Sequence, residues 1–134
     1  MAAPDDELLQ LTHRLLDAIA AGDWSAYTSL VASDVTCFEP EARGHLVEGR
    51  GFHEYYFRLA AGTPAPAKTP SATTIVAPRV RIIGADAAVV SYVRLVQKLD
   101  DQGKPVTVAC EETRVWQRTD AGWRHVHFHR SSPG

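Results

Sequence analysis

Apolar positions recur at two periods along this chain, helical spacing near the start and strand-like alternation in the last half. In "PDDELLQLTHRLLDAIAAGDW", Leu8, Leu11, Leu15 and Ile19 form one stripe, widened by Leu9 and Leu16. That stripe predicts an amphipathic helix. Pro4 and the acids Asp5, Asp6 and Glu7 suit its N-terminus, and Gly22 suits its C-terminal cap. Asp23 can then cap a shorter helix through "WSAYTSLVA". "DVTCFEPEARGHLVEGR" is turn-rich, with short extended pieces near Val35–Phe38 and His45–Val47. In "GFHEYYFRLAA", Phe52, Tyr55, Tyr56 and Leu59 recur at helical spacing and predict a further amphipathic helix, stopped by Gly62. "GTPAPAKTPSA" reads as an exposed, mobile, Pro-rich loop, too short to link domains. Four strands are expected near 72–83, 86–99, 104–118 and 122–131, broken by the turn sequences "GADA", "DDQGK" and "TDAG". Helices first and an antiparallel meander afterwards argue for an α+β fold.

Side chains alternate across a strand. Alternation puts Val90, Tyr92, Arg94 and Val96 on one face, and Val106, Val108, Cys110, Glu112, Arg114 and Trp116 on one face of the next strand. In the last strand Val126, Phe128 and Arg130 oppose Trp123, His125, His127 and His129. An arginine thus sits on the apolar-bearing face of three consecutive strands. Arginine is rarely buried without a partner, and an unpaired buried charge is costly. Two readings stay open: an internal ion-pair network, with Glu112 beside Arg114, or a basic pocket open to a small anion.

A chain of 134 residues, 45% apolar and 22% charged, fits one soluble globular domain over 1–134. The formal net charge of −2 provides no global basic field for nucleic acid or anionic lipid. No apolar run approaches a membrane span, and the acidic "MAAPDDELLQ" lacks the basic start and apolar core of a signal peptide. Cys37 and Cys110 form no CxxC pattern, so buried free thiols and a cytoplasmic setting are expected.

Six segments carry a family resemblance: "GDWSAYTSLV", "FEPEARGHLVEG", "FHEYYF", "SYVRLVQKLD", "EETRVWQR" and "GWRHVHFHRS". Together they resemble the association (hub) domain of calcium/calmodulin-dependent protein kinase II, over nearly the whole chain from about Glu7 to Ser132. The resemblance places the chain in the nuclear-transport-factor-2-like superfamily, which includes ketosteroid isomerase. It implies a cone-shaped, strongly curved antiparallel sheet wrapped around a long N-terminal helix. It also implies a non-catalytic role, in which dimers of the chain assemble into a stacked double ring of about twelve or fourteen subunits that clusters kinase domains. No cofactor is implied. The family's pocket takes small carboxylates such as 4-hydroxybutyrate analogues. Its arginines match Arg94, Arg114 and Arg130 here, and its helix His and Tyr match His53 and Tyr56. This sequence departs from the animal hubs where Ala61 stands in place of a tryptophan and where the Pro/Ala loop after Gly62 is longer. Both departures bear on ligand preference. An isomerase or cyclase of the same superfamily, acting in the same pocket, is the alternative.

Other chemistry is less well supported by the residues. His125, His127 and His129 at alternate positions could reach one zinc ion, but no carboxylate or thiol ligand accompanies them, so surface or subunit-interface histidines are expected and no metal site. Glu39 and Glu41 could divide acid and base roles, though around Pro40 they read as a structured turn. His53 and Tyr56 on one helical face could serve acid–base chemistry. No GxSxG, Walker loop, Gly-rich kinase loop or kinase catalytic loop is present in the chain.

Overall fold

The computed structural model describes residues 4–62 and 71–132. Helix α1 spans Pro4–Ala21 and α2 spans Trp24–Leu30. Strand β1 (Val31–Phe38) leads into a 3₁₀ turn at Pro40–Ala42, then β2 (Val47–Glu48) and helix α3 (Gly51–Ala61). Four long strands follow: β3 (Ser71–Ile83), β4 (Ala87–Leu99), β5 (Pro105–Thr119) and β6 (Gly122–Ser131). The Pro-rich stretch expected as a loop falls mostly on 63–70, outside the described residues.

The strands form one curved, unclosed sheet in the order β2-β1-β6-β5-β4-β3. The meander is antiparallel throughout, as the turn sequences predict. One junction is parallel: β1 lies beside β6, with Cys37 opposite Phe128. That junction makes the sheet mixed, and it brings the early turn-rich segment to the end of the chain. Helix α1 packs against β3 and β4, and its buried side is Leu8, Thr12, Leu15, Leu16 and Ala18. Thr12 is tolerated there because its hydroxyl donates to the Leu8 carbonyl at 2.8 Å. These residues meet Tyr27, Val35, Val90 and Trp116 in the main core. A smaller cluster of Cys37, Val47 and Phe128 lies near Phe52, beneath α3.

Helix α2 is two residues shorter than the sequence suggests. Val31 begins a strand because β-branched residues at 31 and 35 pack inward on the sheet instead of continuing the helix. Its N-cap is as expected, with the Asp23 carboxylate accepting from the Ala26 amide at 3.0 Å. Asp23→Ala should therefore lower stability by about 1 kcal/mol in urea denaturation, and an unchanged midpoint would show that the cap is idle.

Two expectations about faces are corrected. The apolar stripe of α3 is largely outward: Tyr55 is 61% and Leu59 59% exposed, while His53 is the buried residue and Phe57 packs on the main core. Helical spacing identifies a face that needs cover, but not whether the same chain covers it. In β6 the pairing with β5 slips between Val115 and Trp116, where His127 and then His125 are the opposite residues. The extra residue at Val126 is a β-bulge, and it resets the alternation. Trp123 and His125 consequently point inward, as do Phe128 and Arg130 beyond the bulge. His125 is therefore a fully buried core residue rather than one of three surface histidines. Among the described residues no helix is long and apolar enough to cross a membrane.

Candidate functional site

The inner face of β4, β5 and β6 opens on a cavity of about 250 Å³, roofed by α3 and closed at one side by the 3₁₀ turn. Ile19, Tyr27, Phe57 and Phe128 form its apolar walls. Its polar lining includes Arg94, Arg114, Arg130, His53 and Tyr56, so all five residues picked from the sequence meet at one site. It also includes Glu39, Glu41 and Glu112. Each guanidinium is paired with a carboxylate inside the protein, and the cavity is lined by all three.

The floor is a buried network centred on Glu112. Its carboxylate accepts from the Tyr92 hydroxyl at 2.5 Å and from Arg94 at 3.2 Å, and forms an ion pair with Arg114 at 3.2 Å. Arg114 Nε donates to the Tyr92 oxygen at 2.8 Å, which closes the loop. Its guanidinium lies 4.6 Å from the centre of the Phe128 ring. Arg114 Nη1 lies 3.3 Å from His125 Nε2; arginine can only donate, so that nitrogen accepts and the proton sits on Nδ1. Burial alone would raise the Glu112 carboxyl, but Arg114, Arg94 and the Tyr92 hydrogen bond hold it below its usual range. Burial likewise works against the Arg114 charge, and Glu112 and Tyr92 more than restore it. Burial and then Arg114 keep His125 neutral, with a pKa well below the usual value. Arg94 Nε is buried without a hydrogen-bond partner beside the cavity.

The rim is a second cluster. Arg130 donates to Glu39 at 3.3 Å and also to Glu41, so the turn around Pro40 holds two carboxylates on one guanidinium. Burial raises Glu39, with Arg130 opposing and Glu41 adding to it. Glu41 resists burial through the Arg130 hydrogen bond and is lowered. His53 Nδ1 lies 3.8 Å from Glu39, and its Nε2 lies 3.7 Å from the Cys37 sulfur. Burial and Arg114 push His53 down to about 4, so its ring is neutral near pH 7. Cys37 and Cys110 are free and buried. Burial, then Glu39, push the Cys37 thiol up to about 12. Cys37, Glu39 and His53 offer donor atoms within 4.8 Å of one another. A protonated thiol next to Arg114 and Arg130 sets this trio against a divalent cation.

Ala61, at the end of α3, lies in a surface cleft with Trp24 and Phe57, away from the cavity wall. Alternation had placed Tyr92 on the inner face without revealing its role as the bridge between Glu112 and Arg114. Tyr27 gave no signal beyond helical spacing. The hold of Glu39 and Glu41 on Arg130 depends on the parallel β1–β6 junction, which no local pattern encodes.

A family model for the calcium/calmodulin dependent protein kinase II association domain matches residues 4–134. The chain belongs to this family. It is 46% identical over 129 residues to calcium/calmodulin-dependent protein kinase type II subunit delta of Oryctolagus cuniculus, a match that covers 96% of this chain and 24% of that protein. The chain spans about a quarter of the length of the curated relatives it matches. The CaMKII hub homology domain of C. reinhardtii superposes with a TM-score of 0.92 at 49% identity, covering 99% of this chain and 100% of that one. An NTF2-like protein of Salmonella enterica shares the fold at a TM-score of 0.75 and 23% identity, over 96% of this chain and 90% of that one. Membership of the association-domain family carries an oligomerisation role.

Proposed function

We propose that this association domain pairs into dimers that close into a stacked double ring of about twelve or fourteen subunits, gathers attached kinase domains, and takes a small carboxylate in its arginine-lined cavity. The family match across residues 4–134 carries the assembly reading. The surface agrees with it. Tyr55, Tyr56 and Leu59 on α3, and Leu99, Val106 and Val108 at the far end of β4 and β5, are exposed large apolar residues. Exposed apolar surface of this kind marks contact sites. The convergence of Arg94, Arg114 and Arg130 on one cavity supports carboxylate binding, with Arg94 Nε a free donor there. His53 and Tyr56 close the same cavity from the helix.

Native mass spectrometry should show an even-numbered assembly of about a dozen subunits or more. A monomer or an isolated dimer at micromolar concentration would sink the hub reading and favour a superfamily enzyme. On the same samples, calorimetric titration with 4-hydroxybutyrate and related short hydroxycarboxylates should show binding. Arg130→Ala or Arg94→Ala should weaken it about tenfold to a hundredfold, the worth of one charge-assisted hydrogen bond, with the assembly mass unchanged. Arg114 is the wrong residue for this test, because it is buried in the floor network and its loss disturbs the fold itself. Absence of binding by every acid tried would leave the six charges as a purely structural network.

A further inference from the structure

Three arginines and three glutamates meet the cavity, so their formal charges cancel. Arg94 and Arg114 are held by Glu112, and Arg130 by Glu39 and Glu41. A bound carboxylate is then a fourth anion for three cations, in a space partly shielded from water. Like charges at contact distance do not all stay ionised in such a place. One of the four must leave or take a proton.

The candidates differ in what they would lose. Protonating Glu112 would weaken its bonds to Tyr92, Arg94 and Arg114 together. Glu41 is 39% exposed and can keep its charge against water. Glu39 is 10% exposed and shares Arg130 with Glu41. The groups that face it are Arg130 on β6, Glu41 on the 3₁₀ turn, His53 on α3, Cys37 on β1, Tyr27 on α2 and Arg114 on β5. Of these Cys37 and Tyr27 are neutral, and Glu41 repels.

We propose that the cavity takes up one proton with each small carboxylate it binds, and that Glu39 carries the proton. The proposal rests on the carboxylate-binding reading above. The proton comes from solvent and lands on a Glu39 carboxylate oxygen. The neutral acid then donates its O–H to the incoming carboxylate, a strong charge-assisted bond, and the cavity again holds three anions against three cations. Arg130 is left to Glu41 and the ligand. Burial already raises Glu39 in the empty cavity, so the step begins from a group inclined to protonate. His53 starts from a less favourable point, since burial and Arg114 hold it neutral down to about 4.

Calorimetric titration of the intact protein with 4-hydroxybutyrate, in buffers of contrasting ionisation enthalpy, reads the uptake directly. We expect uptake approaching one proton per ligand, with affinity falling by up to tenfold for each pH unit between about 6 and about 8. Glu39→Gln should abolish both the uptake and the slope, and bind more tightly than the unmutated protein at about pH 8. His53→Gln should keep the slope, whereas Glu41→Gln also leaves three anions for three cations and should reduce it. Infrared difference spectra of the unmutated protein should gain a protonated-carboxyl stretch on binding, a readout that does not depend on any variant folding. Clear binding with no proton uptake would overturn this inference while leaving the ligand site standing. Uptake that survives Glu39→Gln and disappears in His53→Gln would overturn it in favour of the imidazole. If no carboxylate binds anywhere in this range, the ligand-site reading fails and the inference fails with it.

Discussion

Glu112→Gln should cost about 3–5 kcal/mol of folding stability, the usual penalty for removing one partner of a buried ion pair. The carboxylate is the counter-charge for Arg114 in the core and for Arg94 beside it. Glutamine keeps the volume and one acceptor but leaves two guanidinium groups facing each other without an anion. The double variant Glu112→Leu with Arg114→Met should recover part of the loss, because an apolar pair of similar size removes the fully buried charges and leaves only Arg94, at the cavity edge, without its anion. Urea denaturation at one fixed protomer concentration measures both, since assembly makes apparent stability depend on concentration. A loss below about 1 kcal/mol for the single variant would mean that water, not Glu112, solvates Arg114. The pH dependence follows from the lowered carboxyl. Glu112 binds its proton less readily folded than unfolded, so its contribution is complete above about pH 4.3 and is lost as pH falls through the lower folded value.

Acid should weaken the domain well before that carboxylate titrates. His53 and His125 are both held neutral when folded, by burial first and Arg114 second. Below about pH 6.5 the unfolded chain takes up protons at both positions and the folded chain does not, so stability falls as pH falls. For His53, lowered to about 4, the window spans about 2.5 units and is worth about 3 kcal/mol. His125 adds to the fall in the same direction. Glu39 works oppositely, because its raised carboxyl binds a proton more readily folded than unfolded, so its contribution is present below about pH 4.3 and is lost as pH rises through the raised folded value. Stability measured in urea from about pH 7 to about pH 5 should decline with a slope that approaches two protons, and should lose about half that slope in His53→Gln. A flat profile over this range would mean that both rings are charged, or exposed, in the folded protein.

The regular parts of the fold were legible because their signals are local. The caps at Gly22 and Asp23, and the turns at "GADA", "DDQGK" and "TDAG", bound elements that end within a residue or two of the expected positions. Alternation found the arginine-bearing faces of β4 and β5, and Glu112 beside Arg114, because those strands pair without a slip. It failed at β6, where the bulge at Val126 adds a residue that the bare pattern cannot announce. His125 was misplaced for that reason, and with it the acceptor that faces Arg114. The rim was invisible for another reason. Glu39 and Arg130 are 91 residues apart in sequence, and only the parallel pairing of β1 with β6 brings them together. The outward stripe of α3 shows the same limit from the other side, since periodicity measures amphipathicity and says nothing about which molecule supplies the cover.

The division of the cavity into a locked floor and an adjustable rim also constrains how such a site can change over evolutionary time. A substitution at Glu112 or Arg114 alters ligand contacts only by breaking the core, so selection against unfolding removes it first. Glu39, Glu41 and Tyr56 stand on a short turn and on the flank of a helix, where Glu41 and Tyr56 meet solvent and Glu39, though covered, is paired with rim groups rather than with the floor network. Lineages of this domain are therefore free to explore new ligands chiefly through the rim. A chemist reshaping the site would begin at the same three positions and leave the floor untouched.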